Sequence, residues 1–327
     1  MNKSTPKIYR KQCRKCSGHQ IKKDWFMRWK QRYKCTDCGY VFQNKTRINN
    51  SHSETQNEQL WKDYSVHKQT YLELSRKNGV SVRTIQKRLD QYIVPLPMLI
   101  PTSIILLIDT TYFWNIGVMA FKDANNKRII HSILVTNESV YDYRRWVEKL
   151  EEEWWTIEAI VCDGKRWLLG WFKRSDGSCI PTQMCQFHQV AIIRRYITKK
   201  PKIQPNKDLK ALWELLTRTD RESFEYSIMQ YEDTYTTFLK ERTYYLDWKS
   251  QKQRWRYTHK KTRSAFLSLK RNLPYLFVSY NYFHTLDIPN TTNWLEWYFS
   301  HLKSKVRIHR WLKKERKIKL ILSLLYS

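Results

Sequence analysis

The chain has 327 residues, enough for two or three domains, and carries 60 lysines and arginines against 30 acids, a formal net charge of +30. So large a one-signed charge points to a polyanionic partner, with nucleic acid first and an anionic membrane as the competitor. A hydrophobic fraction of 41% and an aromatic fraction of 15% exclude disorder, and with only seven glycines, no GxGxxG and no GxxxxGK[ST], a dinucleotide enzyme or P-loop ATPase is disfavoured.

No apolar run reaches the roughly 18 residues that span a bilayer, and the first residues lack the apolar core of a secretory signal. A soluble, cytoplasmic protein with no membrane partner is therefore expected. In that compartment the seven cysteines read as metal ligands or core residues before disulfides.

Residues 1–48 hold Cys13-x2-Cys16 and Cys35-x2-Cys38, with 18 residues between the pairs. Each CxxC turn supplies two thiolates, and the spacing is that of a four-thiolate Zn2+ site. Trp25, Trp29 and Tyr33 between them suit the strands of a zinc ribbon, which would need the metal to fold. Four thiolates leave no open position, so this zinc is structural. The cations Arg14, Lys15, Lys22, Lys23, Arg28, Lys30 and Arg32 favour phosphate contact. Residues 49–57 look like a linker.

Residues 58–93 read as a helix-turn-helix. Leu60, Tyr64, Tyr71 and Leu74 share one helical face, Ile85 and Leu89 another, around a break at Asn78-Gly79. Ser81 can cap the second helix, which carries Arg83, Gln86, Lys87, Arg88 and Gln91 for bases and phosphates of the major groove. The prolines Pro95, Pro97 and Pro101 look like a boundary.

Strands are then expected at Ile104–Ile108, Tyr112–Phe121, Arg128–Val135, Ile157–Cys162 and Thr182–Phe187, with a helix over 139–155. From 190 to about 285 the pattern is a mainly helical, basic and aromatic insertion. Its Trp248–Lys261 stretch, Trp255 and Lys260 included, interleaves rings and cations in a way that suits DNA. Residues 293–306 and a C-terminal helix at 316–327 complete the chain.

Asp109 is expected to end the most hydrophobic strand, Ile104–Ile108, and Asp163 to end the fourth. A carboxylate at the end of a buried strand is costly without a cation. Two such strands could hold a pair of divalent ions, and a third acid is then wanted for two-metal phosphoryl transfer. Glu296, in the first turn of a late helix capped by Thr292 or Asn293, is the best candidate, with Asp176 and Asp287 as substitutes. This element order is that of an α/β fold with a ribonuclease H-like catalytic domain over about 100–315. Cys185 and His188 could also be read as a zinc knuckle or a nucleophile–base pair, although no further paired ligands lie nearby.

On these residues the chain resembles the bacterial insertion-sequence transposases of the DDE class, in the branch similar to eukaryotic mutator-like transposases. The matching pieces are Ile104 to Thr111 around Asp109, Val161-Cys162-Asp163-Gly164, Cys185-Gln186-Phe187-His188-Gln189, and Thr291 to Glu296 followed by Ser300, Leu302 and Lys303. A C/D-x2-H signature after the second acid and a helical insertion before the final glutamate mark that branch; here 132 residues separate Asp163 from Glu296. The resemblance implies that Asp109, Asp163 and Glu296 hold two Mg2+ ions, with Cys185, His188 and Asn293 supporting the active site. It further implies binding of the terminal inverted repeats in double-stranded DNA, cleavage and strand transfer, and a homodimer or larger assembly. A non-catalytic DNA-binding derivative and an RNase H-like nuclease are the alternatives.

Overall fold

A computed structural model of the chain describes residues 12–13, 15–27, 30–43, 54–165, 168–174, 176–282, 284–309 and 312–326. Arg14, Arg28, Trp29 and residues 49–53 of the expected linker lie outside them. The chain forms two compact units, residues 1–59 and 60–327.

The first unit holds a three-stranded antiparallel sheet, β1 (Ile21–Met27), β2 (Lys30–Cys35) and β3 (Val41–Gln43), in the order β1-β2-β3. One extra residue between Lys23 and Phe26 makes a bulge in β1. Helix α1 (Glu54–Ser65) carries the division between the units.

The second unit begins with two short capped helices. In α2 (Tyr71–Asn78) Thr70 and Glu73 form a reciprocal capping box, and Gly79 ends the helix in the left-handed region at φ 61°. In α3 (Val82–Gln91) Ser81 accepts the Thr84 N–H at 3.2 Å, as expected of it. Leu74, Ile85 and Leu89 are buried between these helices and the rest of the unit.

The proline-rich segment 93–101, read as a boundary, does not detach the helices. Arg316 makes a two-pronged contact with the Asp90 carboxylate at 2.8 and 2.6 Å. Lys319 Nζ donates to the carbonyls of Leu89, Asp90 and Tyr92, which occupy the negative end of the α3 dipole.

A five-stranded mixed sheet follows: β4 (Ser103–Phe113), β5 (Ile116–Asp123), β6 (Ile129–Val135), β7 (Thr156–Cys162) and β8 (Thr182–Met184), in the spatial order β6-β5-β4-β7-β8. The first three run as an antiparallel meander; β7 is parallel to β4, and β8 to β7. Helix α4 (Val140–Glu152), capped by Ser139, makes the crossover from β6 to β7.

Two strand expectations are corrected. The stretch Tyr112–Phe121 is broken at Trp114, φ 55°, where the chain turns from β4 into β5. The last strand ends at Met184, because Gln186 already begins α5 (Gln186–Tyr196).

After α5 come α6 (Gln204–Leu215) and α7 (Arg221–Lys240). The hairpin β9 (Arg242–Leu246) and β10 (Gln253–Tyr257) follows, then α8 (Lys260–Leu276) and α9 (Val278–Asn281). The insertion is therefore not wholly helical: its most basic and aromatic stretch is an antiparallel ribbon, exposed along both strands. The last helices are α10 (Asn293–Ile308) and α11 (Lys314–Leu325).

Strand alternation sorts the core into two layers. Ile104, Leu106 and Ile108 face Tyr143, Val147 and Leu150 of α4 and the insertion helices. Ile105 and Leu107 face Leu295, Phe299 and Leu302 of α10, Leu320 and Ile321 of α11, and the apolar sides of α1–α3. The result is a helix–sheet–helix sandwich. No helix among the described residues is long and apolar enough to cross a membrane.

The insertion is tied to the sheet edge by buried amides. Gln183, fully buried in β8, donates to the carbonyls of Met184 at 2.7 Å and Leu276 at 2.9 Å and accepts the Ser279 N–H at 2.9 Å. Gln189 and Asn272 pair at 2.8 Å between α5 and α8. Gln183→Leu leaves buried donors and acceptors unmade and is expected to lower urea-unfolding stability by about 2–3 kcal/mol. An unchanged midpoint would show that the amide does not hold the insertion.

Candidate functional site

The register between β4 and β7 builds the site. Parallel pairing stops at Leu107↔Val161, while β4 continues to Phe113 on its other edge with β5. Two residues on, Asp109 and Asp163 extend from neighbouring strands on the same face, the one that also meets α10. Asp109 is therefore within its strand rather than at its end, which corrects the expectation: only its β7 edge is open.

Burial, joined by the charge of Asp163, pushes the Asp109 carboxyl up to about 7, although the Thr110 N–H at 2.8 Å and Lys165 pull it down and Glu296 adds to the rise. Burial likewise lifts Asp163 to about 6, against the Lys165 N–H and Arg195. Glu296 lies in the first turn of α10 and is raised by burial. Its Oε1 is buried without a hydrogen bond among the described residues and lies 3.3 Å from His188 Nε2.

Cys185 caps α5 and accepts the Thr292 N–H at 3.2 Å through its sulfur, and Gln186 N–H reaches Asn290 O at 2.9 Å. These contacts seat the start of α10 beside α5. Cys185, His188 and Glu296 then hold one ligand atom each within 4.8 Å of one another. His188 is kept below the usual histidine range by burial and by Lys165 and Arg195, so it is neutral near pH 7. Burial raises the Cys185 thiol.

Asn293 does not join this group: it is exposed on the first turn of α10, where Thr292 is the cap residue and its hydroxyl is buried without a partner. Asp176 and Asp287, the substitute acids, are both exposed, Asp176 closing a turn on the Ser178 N–H at 2.8 Å.

A cleft of about 470 Å3 opens on the site, lined by Asp163, Gly164, Lys165, His188, Arg195 and Arg271 among others. Sequence reasoning missed its cations. His188, Ile192 and Arg195 follow at i, i+4 and i+7 on α5, a spacing that marks one face. Lys165 directly follows Asp163-Gly164. Arg271 arrives from the insertion and leaves no local signal.

Glu138 was also missed. It pairs with Lys165 Nζ, which lies 3.5 Å from Asp163 Oδ2, and it accepts from the Tyr143 hydroxyl. Tyr143 spends its one proton there, so Thr110 Oγ1 donates to Tyr143 at 2.8 Å. A polar chain thus runs from the residue after Asp109 to the cation beside Asp163.

In the first unit, Cys13, Cys16, Cys35 and Cys38 also place their sulfurs within 4.8 Å of one another. Two turns do this, one closed by Ser17 N–H to Cys13 O at 2.9 Å, the other by Gly39 N–H to Cys35 O at 3.0 Å. The Cys16 N–H draws the Cys13 thiol down to about 6, while Cys16 is pushed up to about 12: the Gly18 N–H lowers it, but Cys38 and burial outweigh that. Four sulfurs so close cannot all ionise without a cation, and a metal such as zinc would supply it.

The expected DNA contacts are dispersed. Arg83 and Lys87 are exposed on α3, and Gln86 and Arg88 half-buried. Trp255 is exposed on β10 with the Arg242 guanidinium 4.1 Å from its ring centre, and Lys260 is exposed at the start of α8. No protein-family profile and no curated protein matches the chain.

A carboxyl raised in the folded state binds its proton more tightly there than in the unfolded chain. Stability is then present at low pH and falls as pH climbs from about 4 towards 7. Asp109→Asn, free of this penalty, is expected to be the more stable chain at pH 8 by about 1–3 kcal/mol, with a flatter pH profile in urea titrations. A wild-type profile retained by the variant would overturn the buried-carboxylate account.

Proposed function

We propose that the protein is a transposase of the DDE class. In this reading the second unit is a ribonuclease H-like catalytic domain, with Asp109, Asp163 and Glu296 as the acids that hold two Mg2+ ions. The observation that carries it is the β4–β7 register, which sets two half-buried aspartates side by side within the field of a third acid from a late helix. The strand order, an antiparallel meander extended by two parallel strands, supports it.

The donor set suits hard divalent cations. Three carboxylates raised by burial, one with an orphaned oxygen, lack enough positive charge of their own, and oxygen ligands favour Mg2+. When bound there, such ions supply Lewis-acid stabilisation of the attacking and leaving oxygens at phosphorus.

The chain's own groups do the rest. Lys165, Arg195 and Arg271 line the cleft and would grip the phosphates on either side of the reacting one. His188, neutral beside Glu296, can take a proton. The Thr110–Tyr143–Glu138–Lys165 chain holds the Lys165 ammonium against Asp163.

The four-cysteine cluster would be a zinc ribbon, with structural Zn2+. Ribbon, α3 and the β9–β10 hairpin offer basic surfaces for double-stranded element ends, and the exposed rings of Trp248 and Trp255 suit stacking on bases. Because two ends must be cut together, a dimer or larger assembly is expected.

The test is cleavage and joining of a plasmid carrying the inverted repeats that flank the gene. Wild type with Mg2+ is expected to act, and Asp109→Asn or Asp163→Asn to lose at least about a thousandfold in rate. Cutting and joining by Asp109→Asn as well as by wild type would overturn the catalytic assignment, and activity in neither would leave a DNA-binding protein without this chemistry. Preferential cutting of RNA of equal length at matched salt would point to a nuclease.

Zinc is checked separately by metal analysis. One zinc per chain is expected, lost in Cys35→Ser with a fall in thermal stability of the first unit; full retention by that variant would refute four-thiolate binding.

A further inference from the structure

The second unit contains a lysine that none of this chemistry uses. Lys122 stands in β5 opposite Leu107 and is 1% exposed. Among the described residues its Nζ has no hydrogen-bond partner, and it rests on the face of the Trp294 ring, with the Tyr298 ring centre 5.5 Å away. An ammonium buried without an acceptor costs several kcal/mol in such surroundings. Cation–π contact returns only part of that.

Lys122 lines a cavity of about 290 Å3, near the lower end of the range for small-molecule sites. Two more cations, Lys127 and Arg128 on the turn between β5 and β6, line it too. Among the described residues no acidic side chain does. Asp123, the next residue in β5, has its oxygens engaged by the Asn125 N–H at 3.0 Å and Asn126 Nδ2 at 2.6 Å. The remaining wall is aromatic and aliphatic, with Trp294, Tyr326 and Leu99. Three cations converging on an acid-free cavity, one of them buried and unpartnered, form a receptor for an oxyanion with an apolar or aromatic appendage.

We propose that this cavity binds a phosphate group through Lys122, Lys127 and Arg128, with the attached nucleoside against Trp294 and Tyr326. The phosphate is a free nucleotide's or a DNA strand's; the chemistry is shared. The proposal does not depend on what Asp109, Asp163 and Glu296 do. Burial, with Lys127 adding to it, lowers the Lys122 ammonium to about 7. At pH 8 the unliganded Lys122 side chain is therefore mostly neutral, and a bound phosphate would draw a proton onto it.

The experiment is titration calorimetry of the full chain at pH 8, constant chloride and no added Mg2+, with dAMP against deoxyadenosine. Wild type is expected to prefer dAMP by about tenfold or more, and to take up a proton, seen as heat that varies with the buffer's ionisation enthalpy. Lys122→Met is expected to lose both the preference and the proton. Lys127→Ala with Arg128→Ala, on an exposed turn where folding is not at stake, is expected to lose most of the affinity. Lys249→Ala, on the hairpin loop, is expected to bind as wild type, which separates this site from general charge.

If Lys122→Met also weakens a 5′-hydroxyl oligonucleotide, the phosphate is a backbone diester. If it weakens only dAMP and 5′-phosphorylated strands, the phosphate is terminal. Equal dAMP binding by wild type and both variants, or no preference over deoxyadenosine, would overturn the proposal.

Discussion

Two carboxylates held side by side in a half-buried cleft repel each other, and much of the second unit is arranged around that repulsion. The cause is a mismatch in strand pairing. β4 keeps its bonds to β5 through Phe113 but leaves β7 after Leu107, so Asp109 has one paired edge and one open edge. Asp163 emerges at that opening. Both acids are pushed above the ordinary carboxylate range by burial, and each then adds its charge to a small region that the nearby Lys165 and Arg195 only partly neutralise.

The third acid is delivered by a different device. Glu296 is separated from Asp163 by 132 residues, and its place depends on how the start of α10 is held. The Cys185 sulfur and the Gln186 N–H hold it, both at the beginning of α5. Cys185 and His188 therefore have distinct tasks. The cysteine acts as a buried hydrogen-bond acceptor that positions the chain. The histidine stands beside the carboxylate itself. The insertion, anchored to the same corner by Gln183, Gln186 and Gln189, brings Arg271 to the cleft.

The charge of the chain is distributed with purpose. Exposed cations lie on α3 and on a hairpin that has no core of its own. That ribbon is braced by ring–cation contacts such as Arg242 on Trp255 and by the Arg254–Asp247 pair. Other cations do structural work: Arg316 and Lys319 bind the end of α3 to the C-terminal helix, so the two small helices share a core with the sheet. Lys122 fits neither group, since it is buried and has no acceptor.

Much of this was legible in the residues. The aliphatic run before Asp109, the strand before Asp163, the paired CxxC turns and the cap at Ser81 are local patterns. Strand alternation, thiolate spacing and N-terminal caps act over a few residues, so local order suffices to read them. The hairpin escaped notice because its rings and cations have no apolar side to give a period. The turn at Trp114 escaped because no glycine marks it. Glu138, Arg271 and Lys122 could not be read either: the register of β4 on β7, the seating of α10 by Cys185 and the docking of the insertion bring distant residues together, and contacts between segments far apart in the chain leave no pattern in either segment alone.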